Sequence, residues 1–129
     1  MWLSRLAFIA AGSGAAVSAL STWSEADAAG AGATILALYK KPADPAAFDS
    51  YYKNTHAPLA KKLPGLQSYT VSDKLAATAP YYMVAILTFE SMDALQASLA
   101  SDQGKAVVAD LKNFAQAGVD IMPFNNVPV

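Results

Sequence analysis

The chain has 129 residues, 54% of them hydrophobic and 15% charged, with a formal net charge of -1 at pH 7. That length holds one domain and not two with separate cores, and the balance of apolar and charged residues excludes a disordered chain and a basic nucleic-acid binder. There is no cysteine, which removes a disulfide framework, a thiolate nucleophile, a Cys-ligated metal and a lipid-acceptor thiol together.

The N-terminal segment has the pattern of an export signal. Arg5 supplies the positive start, LAFIAAGSGAAVSAL follows as an apolar stretch broken by Gly and Ser, and ADA ending at Ala28 is a small-x-small cleavage site. The apolar run is too short and too glycine-rich to span a bilayer well. Residues 1–28 are therefore expected to be removed, with a retained anchor as the alternative, and the protein to be periplasmic or secreted. Contact with a membrane is expected only through that segment before cleavage. SRLAF carries one arginine where a twin-arginine signal has two, which leaves the export route open. Residues 29–129 hold eight lysines, no arginine and eight acidic residues, so the domain proper is formally neutral. Its first residues, 29–33, are a small-residue tether, and the domain is expected to span 34–129.

TILALYK (Thr34 to Lys40) is short and β-prone and predicts a strand, ended by KPADP. Asp44 followed by Pro45 marks a helix start, an N-cap and then a proline where no backbone donor is missed. Phe48, Tyr51, Tyr52, Thr55, Leu59 and Leu63 then form the stripe that one helix face would bury. Pro58 cannot donate to the Asn54 carbonyl, so the helix should kink there or restart, and LPG at Leu63 to Gly65 should stop it. LQSYTVSDKL (Leu66 to Leu75) and YYMVAILTFE (Tyr81 to Glu90) predict a hairpin joined by AATAP. Ser91 caps a helix carrying Met92, Leu95 and Leu99. After a break at SDQG a second helical run carries Val107, Val108, Leu111 and Phe114 and closes at Gly118. VDIMPF (Val119 to Phe124) is the last strand.

The order β, α, β, β, α, β is that of an α+β ferredoxin-like sandwich, a four-stranded antiparallel sheet with both helices on one face. In Tyr81 to Glu90 both parities are apolar, Met83, Ala85, Leu87 and Phe89 against Tyr82, Val84 and Ile86, and the first strand repeats this with Leu36 and Leu38. Such alternation belongs to a sheet covered on both faces. With helices on one side only, the expected cover for the other is a second copy of the chain in a two-fold homodimer.

YYKNTHAPLAKKLPGLQSYTVS (Tyr51 to Ser72) resembles the signature of the EthD family: a helix ending in His-Ala-Pro-Leu, then Leu-Pro-Gly-Leu and a strand containing Tyr. FESMDALQASLASDQGKAVVADLKNFA is similar to that family's second-helix region, and the likeness extends over about Thr34 to Phe124. It implies a dimeric α+β barrel, in which two ferredoxin-like sheets pack face to face around small apolar cavities. Relatives in that superfamily include cofactor-free monooxygenases, muconolactone isomerase, fungal decarboxylases and dehydratases, and haem-binding enzymes, while EthD itself is associated with ether degradation by a cytochrome monooxygenase system. The resemblance thus implies a fold more narrowly than a reaction. The export signal departs from the usual cytoplasmic member.

His56 is the single histidine. At 100° per residue it falls at the edge of the apolar stripe, one turn after Tyr52. Three roles are open: satisfying groups freed at the Pro58 kink, as the Thr55 hydroxyl could also do; exchanging a proton at the mouth of an apolar cavity; or ligating haem iron. No haem-attachment motif is present, and the domain has no arginine to pair propionates. Tyr39, Tyr52, Tyr69 and Tyr82 could line the pocket and offer hydroxyls, or serve as packing. Asp120 could pair with His56 or lie at a solvated strand start, and Lys61 and Lys62 suit a solvated helix end. No phosphate loop, nucleophile elbow or metal-ligand spacing occurs, so no cofactor and no metal are expected. The function expected is binding of a small apolar or aromatic molecule, as a cofactor-independent oxidoreductase of the monooxygenase type, a lyase or an isomerase, or as a non-catalytic binding or accessory protein.

Overall fold

Four strands build one antiparallel sheet in the computed structural model, which describes residues 31–129. They are β1 (Ala33–Tyr39), β2 (Leu66–Val71), β3 (Met83–Phe89) and β4 (Val119–Asn125), hydrogen-bonded in the order β2-β3-β1-β4. Between β1 and β2 run α1 (Pro45–Tyr51), a π-helical turn (Tyr52–His56) and α2 (Ala57–Ala60). Between β3 and β4 run α3 (Met92–Ala100) and α4 (Asp102–Phe114). The connectivity is the expected ferredoxin-like βαββαβ. The expected export signal lies outside the described residues.

Local chemistry sets the boundaries. Asp44 accepts from the Ala47 N–H at 3.1 Å and Pro45 opens α1. Ser91 and Ser101 accept in the same way from Ala94 and Gly104, each at 3.1 Å, so the break at SDQG is a cap that starts α4 directly after α3. Gly65 takes φ +77° at the turn into β2, a conformation that costs glycine nothing. β1 begins at Ala33, inside the small-residue run, because Asn126 ties the approach down: its N–H donates to the Gly32 carbonyl and its Nδ2 to the Ala31 carbonyl, both at 2.9 Å. β2 is shorter than Leu66 to Leu75. Ser72 still exchanges hydrogen bonds with Val84, but no strand pairing continues past it.

The helix-facing side carries Ile35, Ala37 and Tyr39 from β1 and Ala85, Leu87 and Phe89 from β3, all buried with Phe48, Tyr52, Leu95 and Phe114 in one core. On the opposite side the register places Leu36 between Ile86 and Met122, Leu38 beside Val84, and Thr34 beside Phe124. No described element covers these residues, and Met122 and Phe124 are exposed. Both parities are thus apolar, as the sequence indicated, and only one is covered by the described elements of the chain.

The α3–α4 junction is closely packed around Gly104. A Cβ on Gly104 would stand 2.2 Å from the Ser98 carbonyl oxygen and 2.5 Å from that of Leu99. These are backbone atoms that cannot swing away. Gly104→Ala should therefore destabilise the protein by about 3 kcal/mol, the upper range for overpacking. A thermal melt within a degree of wild type would show that the junction yields instead.

Candidate functional site

The helix that carries His56 does not keep one period. At the C-terminal end of Tyr52–His56 the Ala57 N–H donates to the Tyr52 carbonyl, five residues back. Such a turn holds about one residue more than the 3.6 of an α-turn, so every side chain after it lags. His56 moves from the edge of the stripe into its centre, 3% exposed, while Thr55 moves out into solvent. The same lag buries Ala60 and leaves Leu59 half-exposed. Pro58 then falls in the first turn of α2, where its missing N–H is harmless. Neither the imidazole nor the Thr55 hydroxyl satisfies a backbone group at the kink.

The imidazole instead meets a carboxylate. His56 Nδ1 lies 2.9 Å from Oδ2 of Asp110, on α4 and 8% exposed. Oδ1 of Asp110 accepts from the Tyr51 hydroxyl at 2.6 Å and from Asn113 Nδ2 at 2.9 Å. Burial pushes the Asp110 carboxyl up, but the hydrogen bonds from Tyr51, Asn113 and His56 outweigh it and hold the group below its ordinary 3.8. An ionised carboxylate only accepts, so Nδ1 carries the imidazole proton and Nε2 the lone pair. Burial lowers the His56 pKa from 6.5, against the pull of Asp110. The ring is therefore neutral at pH 7.

Nε2 has no hydrogen-bond partner among the described residues, and His56 lines a cavity of about 310 Å³ between the sheet and the helices. Ile35, Ala37, Ala85, Leu87 and Val107 make most of its wall apolar. Val108 and Ile121, 54% and 44% exposed, mark its mouth between α4 and β4. Tyr39, Tyr52 and Tyr69 join His56 on the wall, and the hydroxyls of Tyr52 and Tyr69 are hydrogen-bonded to each other. Burial raises the pKa of all three phenols, so they remain protonated donors. The chamber lies within the single chain on the helix side of the sheet, and not between two sheets. His56 sits in its wall and not at its mouth.

Two expected residues stand elsewhere. Tyr82 precedes the regular strand, so it escapes the pleat: its hydroxyl donates to Asp49 at 2.8 Å and its ring meets Phe48 edge-on. Asp120 accepts from the Tyr81 hydroxyl at 2.8 Å, leaving Asp110 as the partner of His56. Asp110 had a signal in the sequence. Val107, Asp110, Leu111 and Phe114 fall at i, i+3, i+4 and i+7, which places a carboxylate on the apolar face of α4. Among the described residues no lysine lines the chamber to pair a haem propionate. Among the described residues no group of three His, Asp or Glu stands close enough to hold a metal ion.

Both lowered pKa values act on stability in the same direction. Above pH 6.5 the folded state bears no cost from His56. As pH falls below 6.5, the unfolded chain takes up the proton first and stability is lost. Asp110 repeats this below 3.8. The melting temperature should therefore fall between pH 7 and pH 5, and His56→Gln should flatten that limb; a limb unchanged in the variant would assign it to other groups.

A four-stranded antiparallel sheet with both helical connections on one face defines a ferredoxin-like α+β domain, here with a chamber between sheet and helices. Residues 40–118 match the EthD domain, and the chain belongs to that family. An ethyl tert-butyl ether d (ethd) family protein from Bacillus halodurans is 31% identical, with a TM-score of 0.70 over 74% of this chain and 99% of that one. An uncharacterised 11.0 kDa protein of the thcB-thcC intergenic region of Rhodococcus erythropolis is 38% identical over 88 residues, 66% of this chain and 85% of the relative. SnoaB of Streptomyces nogalater, a cofactor-independent oxygenase, shares the fold at 18% identity, with a TM-score of 0.57 over 75% of this chain and 94% of its own.

Proposed function

We propose that this protein takes a small apolar or aromatic molecule into the chamber beside His56 and moves a proton on it without a cofactor. The observation that carries this reading is the buried Asp110–His56 pair on the wall of a mostly apolar chamber, with Nε2 left unpartnered among the described residues. A neutral imidazole in that position removes a proton from a C–H or O–H made acidic by a carbonyl or an aromatic ring, and the electron pair stays on the ligand as an enolate or phenolate. Asp110 stabilises the imidazolium, and the tyrosine hydroxyls can donate to the developing oxyanion. Return of the proton at another atom is isomerisation. Loss of a leaving group is lyase chemistry, and transfer of the electrons to dioxygen is oxygenation, the class to which SnoaB belongs.

The same reading includes assembly and place of action. The uncovered apolar face of the sheet fits a second copy packed across a two-fold axis, and the N-terminal pattern fits export to the periplasm or beyond.

Native mass spectrometry of protein purified from its own host should show a dimer, signal removal and a retained small molecule. With that molecule as substrate, His56→Gln should keep binding while turnover falls by about 10²-fold or more. Unchanged turnover would reduce His56 to packing. Bound molecule without any turnover in the wild type would make this a binding protein that uses the same cavity.

A further inference from the structure

We infer that Tyr51 and Asn113 are positioning residues for the His56 imidazole: by donating together to Oδ1 of Asp110 they hold Oδ2 against Nδ1 and keep the Nε2 lone pair turned to the chamber. This rests on the reading of His56 as the proton-transfer group.

A carboxylate held by one hydrogen bond can swing about its Cα–Cβ and Cβ–Cγ bonds and carry both accepting oxygens away from its partner. Asp110 is held from two elements. The Tyr51 hydroxyl reaches it from the end of α1 at 2.6 Å, and Asn113 Nδ2 from one turn further along α4 at 2.9 Å. Tyr51 cannot wander, because its ring stacks on Phe114 with centroids 5.3 Å apart and planes at 19°. The His56 ring lies 4.6 Å from the same Phe114, so one aromatic ring braces both ends of the network. Among the described residues, the titratable groups facing His56 are Asp110 from α4, Tyr39 from β1, Tyr69 from β2 and Tyr52 from its own turn. Of these, Asp110 alone is an anion at neutral pH. The proton on the imidazole is therefore placed by the orientation of one carboxylate.

Tyr51 and Asn113 line an outer groove with Pro42, Asp44 and Gln116, and neither is on the wall of the inner chamber. The support of the dyad thus stands at the surface and the imidazole stands inside. It can be altered without reshaping the cavity.

The full chain contains one histidine, so ¹⁵N-labelled protein gives a single imidazole whose long-range ¹⁵N–¹H spectrum reports its tautomer directly, with no substrate needed. In wild type at neutral pH the proton is expected on Nδ1. Tyr51→Phe, which keeps the ring stack, and Asn113→Ala should each mix in the other tautomer, and the double variant should lower the preference by about tenfold, the worth of a hydrogen bond to a charged group. A merely structural pair would change the melting temperature and leave the tautomer as it was; that result in the double variant overturns the inference. If Asn113→Ala fails to fold, Tyr51→Phe decides alone, with an unshifted tautomer again the contrary result. A wild-type imidazole protonated on Nε2 would overturn both this inference and the reading beneath it.

Discussion

Asp110→Asn should reduce turnover of the retained substrate by on the order of 10²- to 10⁴-fold while the protein stays folded, the largest effect expected from one oxygen-to-nitrogen change here. The carboxylate accepts three hydrogen bonds through two oxygens, from Tyr51 and Asn113 on one and from His56 on the other. An amide has one accepting oxygen. If it serves Tyr51 and Asn113, its NH₂ faces Nδ1, and the imidazole must present a lone pair there and its proton to the chamber. The base is then turned the wrong way round. If the amide oxygen serves His56, the NH₂ group faces two donors. The first arrangement turns an imidazole N–H toward the mostly apolar wall and the second sets donor against donor, so stability should fall by about 1–3 kcal/mol. Loss of stability with unchanged turnover would mean that Asp110 only holds the helices together.

Leu36→Glu should convert a dimer into monomers while leaving the protomer folded. Leu36 stands in the middle strand of the uncovered face, between Ile86 on β3 and Met122 on β4. In a lone protomer that position meets water, and the change should be within about 0.5 kcal/mol of neutral, as surface substitutions are. A second copy packed on this face would desolvate one introduced carboxylate from each chain. Burying an unpaired charge costs several kcal/mol, so the dissociation constant should rise by about 10³-fold or more. Sedimentation velocity at micromolar concentration measures it. A variant with the wild-type mass would move the interface elsewhere, and a wild type that sediments as a single chain would remove the second copy altogether. The chamber beside His56 lies within one protomer and would survive that result.

The contrast between element order and site shows which physics is local. Asp44-Pro45, Ser91, Ser101 and Gly65 announce helix and turn boundaries through their own backbone chemistry, and the structure places those boundaries where the residues indicate. The two-faced apolarity of β1 and β3 is legible for the same reason: a strand's period of two is fixed by its pleat. The position of His56 is not legible in this way, because the helical wheel assumes 3.6 residues per turn and the Tyr52–His56 turn does not obey it. One inserted residue exchanged the fates of Thr55 and His56. Proline at 58 signalled an irregularity without saying on which side of the helix it would be absorbed. Asp110 is legible as a charged residue in an apolar stripe, whereas apolarity alone points equally to Val108, which faces the cavity mouth and the solvent. Tyr82 shows the reverse limit, since parity in a strand has meaning only where the strand is regular.

The proposed chemistry rests on a neutral imidazole, desolvated and oriented by Asp110, on the wall of a mostly apolar chamber. A pH titration of the lone histidine by NMR tests it most directly, because no other imidazole contributes signal. The midpoint should lie below 6.5, with the burial of the ring outweighing the pull of the carboxylate. A midpoint at or above 6.5 would describe a solvated ring or an imidazolium paired with Asp110, and would rule out His56 as a desolvated neutral base.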